Sequence, residues 1–216
     1  MPKRLVTVLL TVALLSGCQT TAQRQYQAIK SNNQSAIQDL QMCVTTVYNS
    51  PEFALLRKHL PLKVTDATLE QLSDDSLATD QEISVILVEH PKLQSCRQRA
   101  IDQISQTSPT VVPIFLAITT KSEDSLIDLI QKKQGWGAHV RRVRDVTVAG
   151  TSELQLESQR IEAGLQQSHE AELARRQAAT DALVRYSQTQ QIINNMNRPV
   201  ITNCNSLGGM VNCVSQ

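Results

Sequence analysis

The last third of this chain holds a long stretch in which a single glycine is the only residue that could interrupt a helix. From Thr151 to about Asn195 there is no proline, and Gly164 is the only glycine; these two residue types are the strongest helix breakers. The apolar residues of the stretch are sparse, and Ser168 and Glu172 fall where a coiled coil needs an apolar seam. We therefore predict one long helix over residues 151–197, mostly solvated and with a weak coiled-coil seam.

The preceding residues show shorter helical patterns separated by proline and glycine. Apolar residues recur at steps of three and four from Tyr26 to Val47, which is the spacing of one helix face. Thr79 and Glu82 form a capping box. This cap favours a helix over residues 83–89 rather than the strand that their β-branched side chains also allow.

Proline, serine and glycine predict the remaining boundaries. Pro91 and Ser122 are each predicted to start a new helix, and Pro113 to start or kink the one between them. A further helix is predicted over residues 138–148. Together these patterns predict an all-α fold with a small helical bundle over residues 24–150, the long helix, and a C-terminal disulfide-bridged β-hairpin over residues 198–216.

The first eighteen residues have the layout of a lipoprotein signal peptide. Lys3 and Arg4 precede an apolar run over residues 5–15, and small residues lead to Cys18. Leu15-Ser16-Gly17-Cys18 resembles the bacterial lipobox, in which the cysteine carries the acyl chains after cleavage. A plain transmembrane anchor is the alternative, but the run is shorter than the ~20 residues that a spanning helix needs. We expect a signal peptide over residues 1–17, lipidation at Cys18 and a tether over residues 18–23.

Four cysteines remain for an exported chain, in which disulfides are the expected state. Gly208-Gly209 is a two-residue hairpin turn signal. This turn places Cys204 opposite Cys213, at a spacing that suits a disulfide. Cys43 and Cys96 lie on apolar helix stripes and are predicted to form the second bridge. Metal binding by the tail cysteines and a nucleophilic role for Cys43 are the weaker alternatives.

Other candidates for chemistry are few. His59, His90, His139 and His169 do not have metal-ligand spacing, and each is predicted to lie at the surface or at a helix cap. There is no phosphate-binding loop and no nucleophile motif. We therefore expect no catalytic residue, no metal and no cofactor.

One tryptophan and one basic cluster are candidate interaction residues. Trp136 lies between two glycines and is predicted either to fill the core at a helix joint or to form a ligand platform. Arg141, Arg142 and Arg144 could contact anionic envelope material. The alternative, which we favour, is a solvated helix face that is paired with Asp or Glu.

Several short motifs occur in an order that resembles a loosely defined group of uncharacterised proteobacterial envelope lipoproteins. The motifs are Thr79-Asp80-Gln81-Glu82, Cys96-Arg97, Gly135-Trp136-Gly137 with Arg141-Arg142, and the tail from Thr202 to Cys213 with its double glycine. The resemblance implies a helical domain, a long Gln- and Ala-rich helix and a cysteine hairpin. It implies no activity and no site residues. Gln19 after the lipobox cysteine resembles the outer-membrane default of such proteins.

The sequence therefore predicts a lipid-anchored envelope protein, most plausibly at the outer membrane and facing the periplasm, with a structural or protein-interaction role. Its partners are expected to be the membrane, through Cys18, and a protein of the envelope. The near-neutral charge gives no argument for nucleic-acid binding. An envelope enzyme such as a cell-wall hydrolase, or an accessory part of a secretion or surface-assembly machine, is the alternative. The tail is expected to act as a recognition tip or as a clasp; the alternative is that its disulfide only protects a frayed chain end from proteases. The oligomeric state stays open.

Replacing the lipobox cysteine tests the predicted anchor. Each buried methylene of an acyl chain contributes about 0.8 kcal/mol to membrane binding, and two chains anchor a protein stably. Cys18→Ser should leave either an unprocessed precursor or a released soluble form, as shown by membrane fractionation and intact-mass measurement. Unchanged fractionation together with unchanged mass would rule out the anchor.

Overall fold

Four long helices make up most of the part of the chain that the structure, a computed structural model, describes: residues 19–196, 202–207 and 210–215. The predicted helical fold class is confirmed there. The helices are α1 (Thr21–Tyr48), α3 (Asp80–Ser105), α4 (Val112–Ile130) and α5 (Trp136–Met196), with a short α2 (Leu69–Leu72) before α3. Single 3₁₀ turns lie at Glu52–Leu55, Val64–Asp66 and Pro109–Val111. The signal peptide, Cys18 and the helix end at Arg198-Pro199 lie outside the described residues.

Side-chain caps fix the starts of three helices. Thr79 accepts a hydrogen bond from the Glu82 backbone N–H and its own N–H donates to the Glu82 carboxylate, which confirms the predicted capping box and the helix after it. Thr68 with Gln71 caps α2 in the same way. A capping box that the sequence analysis missed joins Thr20 and Gln23. It starts α1 at Thr21, so the predicted tether over residues 18–23 is too long.

Three predicted helix boundaries are wrong. Pro91 lies inside α3, on its exposed side, and buried residues continue before and after it. Packing of that buried stripe therefore outweighs the ~3 kcal/mol that an internal proline costs. Ser122 lies inside α4, where its hydroxyl donates to the Ile118 carbonyl one turn earlier, at 2.7 Å. Gly150 lies inside α5, where a Cβ atom would come within 2.3 Å of Ile118 Cδ1. The absence of a side chain at Gly150 lets Ile118 of α4 pack against α5, and the glycine does not end a helix.

α1 and α3 run antiparallel and are joined by a disulfide. Cys43 and Cys96 form the predicted bridge, with 5.8 Å between their Cα atoms. Towards the other end of the pair, Asn32 Nδ2 donates to the Gln103 carbonyl and to Thr107 Oγ1, both at 2.8 Å. The disulfide and the hydrogen bonds of the Asn32 side chain thus hold the two helices in one register.

The first part of α5 packs against α1, and beyond that contact the chain forms a second compact unit. Leu154 and Ile161 contact a buried cluster that contains Ala36, and Thr20 Oγ1 lies 2.8 Å from His169 Nδ1. The residues up to His169 form one compact unit, and the residues from Glu170 form another. The predicted, mostly solvated helix is confirmed over residues 151–196, where none of the described residues is fully buried and Leu154 and Ile161 are only partly buried.

The main core surrounds Trp136, which is fully buried. Leu56, Leu129 and Ile86 belong to the same cluster, so the loop after α1 and the helices α3, α4 and α5 all contribute to it. This placement agrees with the prediction that Trp136 fills the core at a helix joint.

The two glycines beside Trp136 let the start of α5 approach a loop backbone. The N–H of Gly137 donates to the Asp74 carbonyl at 2.6 Å, and the N–H of Trp136 donates to the Ser76 carbonyl at 3.0 Å. A Cβ atom on Gly137 would lie 2.6 Å from the Leu72 carbonyl oxygen, closer than van der Waals contact permits. Any larger residue there must move the loop.

Two short segments of the tail run antiparallel to each other. They are β1 (Thr202–Leu207) and β2 (Met210–Ser215), with Cys204 opposite Cys213. The turn residues Gly208 and Gly209 lie outside the described residues. The disulfide between Cys204 and Cys213, and the hairpin as a stapled unit, stay predictions.

A pair of glycine-to-alanine substitutions tests the close approach at the start of α5. Gly137→Ala should destabilise the protein by roughly 2–4 kcal/mol, because the methyl group overlaps loop backbone that cannot rotate away. Gly164→Ala is the matched control, because nothing lies within 4 Å of its Cβ position, and it should stabilise α5 by up to about 1 kcal/mol. Chemical denaturation of both variants measures the difference. Equal stabilities would contradict the packing described here.

Candidate functional site

The basic cluster on α5 is tied to its own fold. Arg142 Nη1 lies 3.0 Å from Asp128 Oδ2, Arg144 Nη2 lies 3.4 Å from Asp145 Oδ1, and Arg141 donates to the Leu72 carbonyl. The three side chains therefore have partners on α4, on α5 and at the end of α2. This arrangement matches the favoured alternative of a paired helix face, and Trp136, being buried, offers no accessible platform.

A buried histidine faces two carboxylates beside the core tryptophan. His59 Nε2 lies 3.0 Å from Glu82 Oε1, and His59 Nδ1 contacts Asp74 Oδ2. The imidazole stacks on the Trp136 ring with 4.5 Å between the centroids and 4° between the planes. The prediction that His59 lies at the surface or at a cap is wrong, because the ring is only 7% exposed.

Glu82 is the most strongly bonded acid of this group. Burial would raise its pKa, but hydrogen bonds from the Thr79 backbone, from Lys58 and from His59 outweigh that effect and lower the pKa to about 2. Its Oε1 lies 3.1 Å from Lys58 Nζ, and its Oε2 accepts the Thr79 N–H at 2.9 Å. Its Oε1 thus holds α3 to the loop that follows α1, and its Oε2 closes the cap of α3 itself.

A second buried histidine pairs with a serine. His139 Nδ1 lies 2.9 Å from Ser125 Oγ, which also accepts a hydrogen bond from Gln134 Nε2. Burial lowers the pKa of His139 to about 4, with the nearby Arg142 charge acting in the same direction. His139 is therefore neutral at physiological pH. Ser125 is completely buried, which makes this pair a link between α4 and α5.

A cavity of about 310 Å³ lies between all four long helices and has the shape of a binding site. Its walls are mostly apolar and include Tyr48, Phe53, Leu56, Leu93, Leu126 and Val140. The volume is at the small end of the ~300–1,000 Å³ that ligand pockets span. The loop after α1 covers one side, so this cavity depends on the same loop that His59 and Glu82 hold.

Charged groups on α3 and α4 form one wall of this cavity. Glu89 is 1% exposed, and Lys92 Nζ lies 2.7 Å from its Oε1. Its Oε2 accepts no hydrogen bond from any described residue. Glu123 Oε1 lies 3.4 Å from both Arg97 Nη1 and His90 Nε2. A buried polar atom without a partner costs about 1–3 kcal/mol, so Glu89 Oε2 is the atom of this wall most suited to a bound donor.

The sequence analysis missed this cavity and its carboxylate. Glu89 and His90 stand at the end of an aliphatic run, next to Pro91, and that position indicated only a helix boundary. A glutamate on the buried stripe of α3, three residues after the core residue Ile86, was the available signal. Recognising it required the continuous helix through Pro91.

Neither the family models of known proteins, nor the curated proteins, nor the solved structures contain a match to this chain. Two further observations concern only the described residues. Among them no group of three or more His, Cys, Asp or Glu is placed to hold a metal ion, and no helix is both long and apolar enough to cross a membrane.

Acid should destabilise the fold in two separable steps. His139 has a lower pKa in the folded state (about 4) than its ordinary 6.5, so the unfolded chain binds the proton first and stability falls from pH 6.5 to about 4. Glu82 has a folded pKa of about 2 against an ordinary 4.5, so its contribution is lost between pH 4.5 and about 2. Each step should amount to roughly 2–3 kcal/mol.

Two variants with non-titrating side chains assign these steps, and each serves as the control for the other. His139→Gln should flatten the free energy of unfolding between pH 6.5 and 4 and leave the lower range unchanged. Glu82→Gln should lower stability at pH 7 and flatten the curve between pH 4.5 and 2. Urea denaturation across this pH range measures both. If both variants retain the wild-type pH profile, the acid response arises from other groups.

Proposed function

We propose that this chain is a lipid-anchored protein of the cell envelope that binds another envelope protein through the far end of α5 and the tail. The observation that carries the proposal is a set of exposed apolar side chains on α5 after Glu170. Leu183 is 69% exposed and Tyr186 is 65% exposed. Earlier on the same helix, Leu154 and Ile161 are covered by the bundle.

Three of these exposed residues share one helix face. Leu183, Tyr186 and Ile193 are spaced by three and seven residues, and Gln190 completes the row. We call these four residues the distal face. Gln190 Nε2 donates to the Tyr186 hydroxyl at 3.2 Å, which leaves the ring as an exposed apolar surface. An exposed apolar row along a helix is the usual form of a surface that packs against a partner helix or groove.

The envelope location rests on the start of the chain and on the disulfide. The lipobox-like segment that ends at Cys18 supports an anchor, and Gln19 supports the outer membrane. The Cys43–Cys96 bridge supports an oxidising compartment such as the periplasm. A tail closed by Cys204 and Cys213 would add a stapled strand pair beyond the distal face.

Copurification from cross-linked envelopes tests this function. The triple variant Leu183→Gln, Tyr186→Gln and Ile193→Gln should reduce the recovered partner by more than tenfold, because it removes the apolar surface without a helix-breaking residue. Leu69→Gln is the matched control, because Leu69 is 83% exposed but lies on α2. Thermal unfolding should be unchanged in both variants.

Two outcomes of that experiment would overturn the proposal. Equal recovery of the partner by the triple variant would show that the distal face does not bind. Recovery of the chain alone, with release of a cell-wall fragment on incubation with purified cell wall, would favour the enzyme class instead. If the recovered partner is a second copy of this chain, the distal face is a self-association surface and the proposed heterologous contact is wrong.

A further inference from the structure

We propose that the cavity between the four long helices binds a small neutral amphiphile, with an apolar body against the aliphatic walls and a hydrogen-bond donor at Glu89. This site is separate from the distal face, because its lining belongs to α1, α3, α4, the start of α5 and the loop after α1. It assigns to the bundle a binding activity that the interaction proposal does not require.

The apolar composition of the cavity walls indicates that most of the ligand is apolar. Phe53, Leu56 and Leu60 from the loop face the same space as Val140 and Val143 from α5. Such walls favour an aliphatic or aromatic body, because its transfer from water is favourable in proportion to its apolar area. A strongly polar body, such as a sugar, would find too few partners here.

Glu89 determines the polar end of the ligand. Its side chain is 1% exposed and lines the cavity, Oε1 is paired with Lys92, and Oε2 accepts no hydrogen bond from the described residues. An ionised carboxylate is an acceptor only. The complementary group is therefore a donor, such as a hydroxyl or an N–H.

The charges around the cavity select a neutral donor. The carboxylates of Glu89 and Glu123 are balanced by Lys92 and Arg97, which lie within 3.4 Å of them. A cationic head would therefore add an unbalanced charge to a largely apolar space, which is costly. An anionic head would face the unpaired oxygen of Glu89 and be repelled. Fatty alcohols and monoacylglycerols have the required chemistry, and fatty acids do not.

Two probes that share a ring system test the charge selectivity. N-phenylnaphthylamine is neutral and carries one N–H, and anilinonaphthalene sulfonate is the same skeleton with a negative charge. The soluble form of the Cys18→Ser chain avoids detergent, and fluorescence titration gives a Kd for each probe. We expect saturable binding of the neutral probe at one site and at least tenfold weaker binding of the sulfonate. Equal affinities, or no saturable binding, would overturn the proposal.

Substitutions in the cavity test where the probe lies. Val143→Trp fills the space and should weaken binding of the neutral probe at least tenfold. Val148→Trp is the matched control, because Val148 lies on the same helix but is 53% exposed and outside the cavity lining. Glu89→Gln should bring the two probe affinities at least fivefold closer together, since it removes the negative charge that repels the sulfonate. Binding to Val143→Trp at wild-type affinity would place the probe elsewhere.

The melting temperature of the wild-type chain, measured with and without ligand, tests the proposal without any cavity variant. A ligand that binds only the folded state raises the melting temperature of the wild-type chain. Decanol should raise it, and decanoate at the same concentration should not. A rise with decanoate alone, or with neither compound, would overturn the assignment.

Discussion

The bundle depends on one contact between main chains, where the first turn of α5 meets the loop after α2. The N–H of Gly137 reaches the Asp74 carbonyl at 2.6 Å, and the N–H of Trp136 reaches that of Ser76. The first backbone N–H groups of a helix have no partner within the helix, so this loop satisfies two of them. The same contact places the Trp136 ring beneath His59 and brings Val140 and Val143 to the cavity. The core, the histidine group and the cavity all follow from it.

Local signals in the sequence predicted those parts of the fold that depend on neighbours along the chain. Thr79 and Glu82 predicted the start of α3 because a capping box involves only four consecutive residues. The Cys43–Cys96 bridge could be predicted because both cysteines lie on apolar stripes of adjacent helices. By contrast, Pro91, Ser122 and Gly150 are local helix-breaking signals that tertiary packing overrides, and each lies within a continuous helix.

The candidate site was harder to predict, since its polar residues act through distant partners. His59 is buried because Asp74, Glu82 and Trp136 surround it, and these residues lie 15 to 77 positions away in the sequence. His139 is neutral because burial among the surrounding helices disfavours its charged form. Histidine spacing in a sequence can reveal metal ligands, but it does not reveal histidines such as these, which are buried through contacts with distant residues. A glutamate inside a buried stripe, such as Glu89, is the one local sign that a cavity wall carries a polar group.

The bridge between Cys43 and Cys96 also affects when the protein can fold. It joins residues 53 positions apart, and closing a loop of that size stabilises a folded state by about 4 kcal/mol relative to the open chain in the chain-entropy model. A thiol pair in a reducing compartment lacks this contribution. In the proposed exported protein, newly made chains would therefore be less stable before they reach the oxidising compartment than after it. Such a delay would suit a precursor that crosses a translocation pore unfolded and becomes rigid only on the far side.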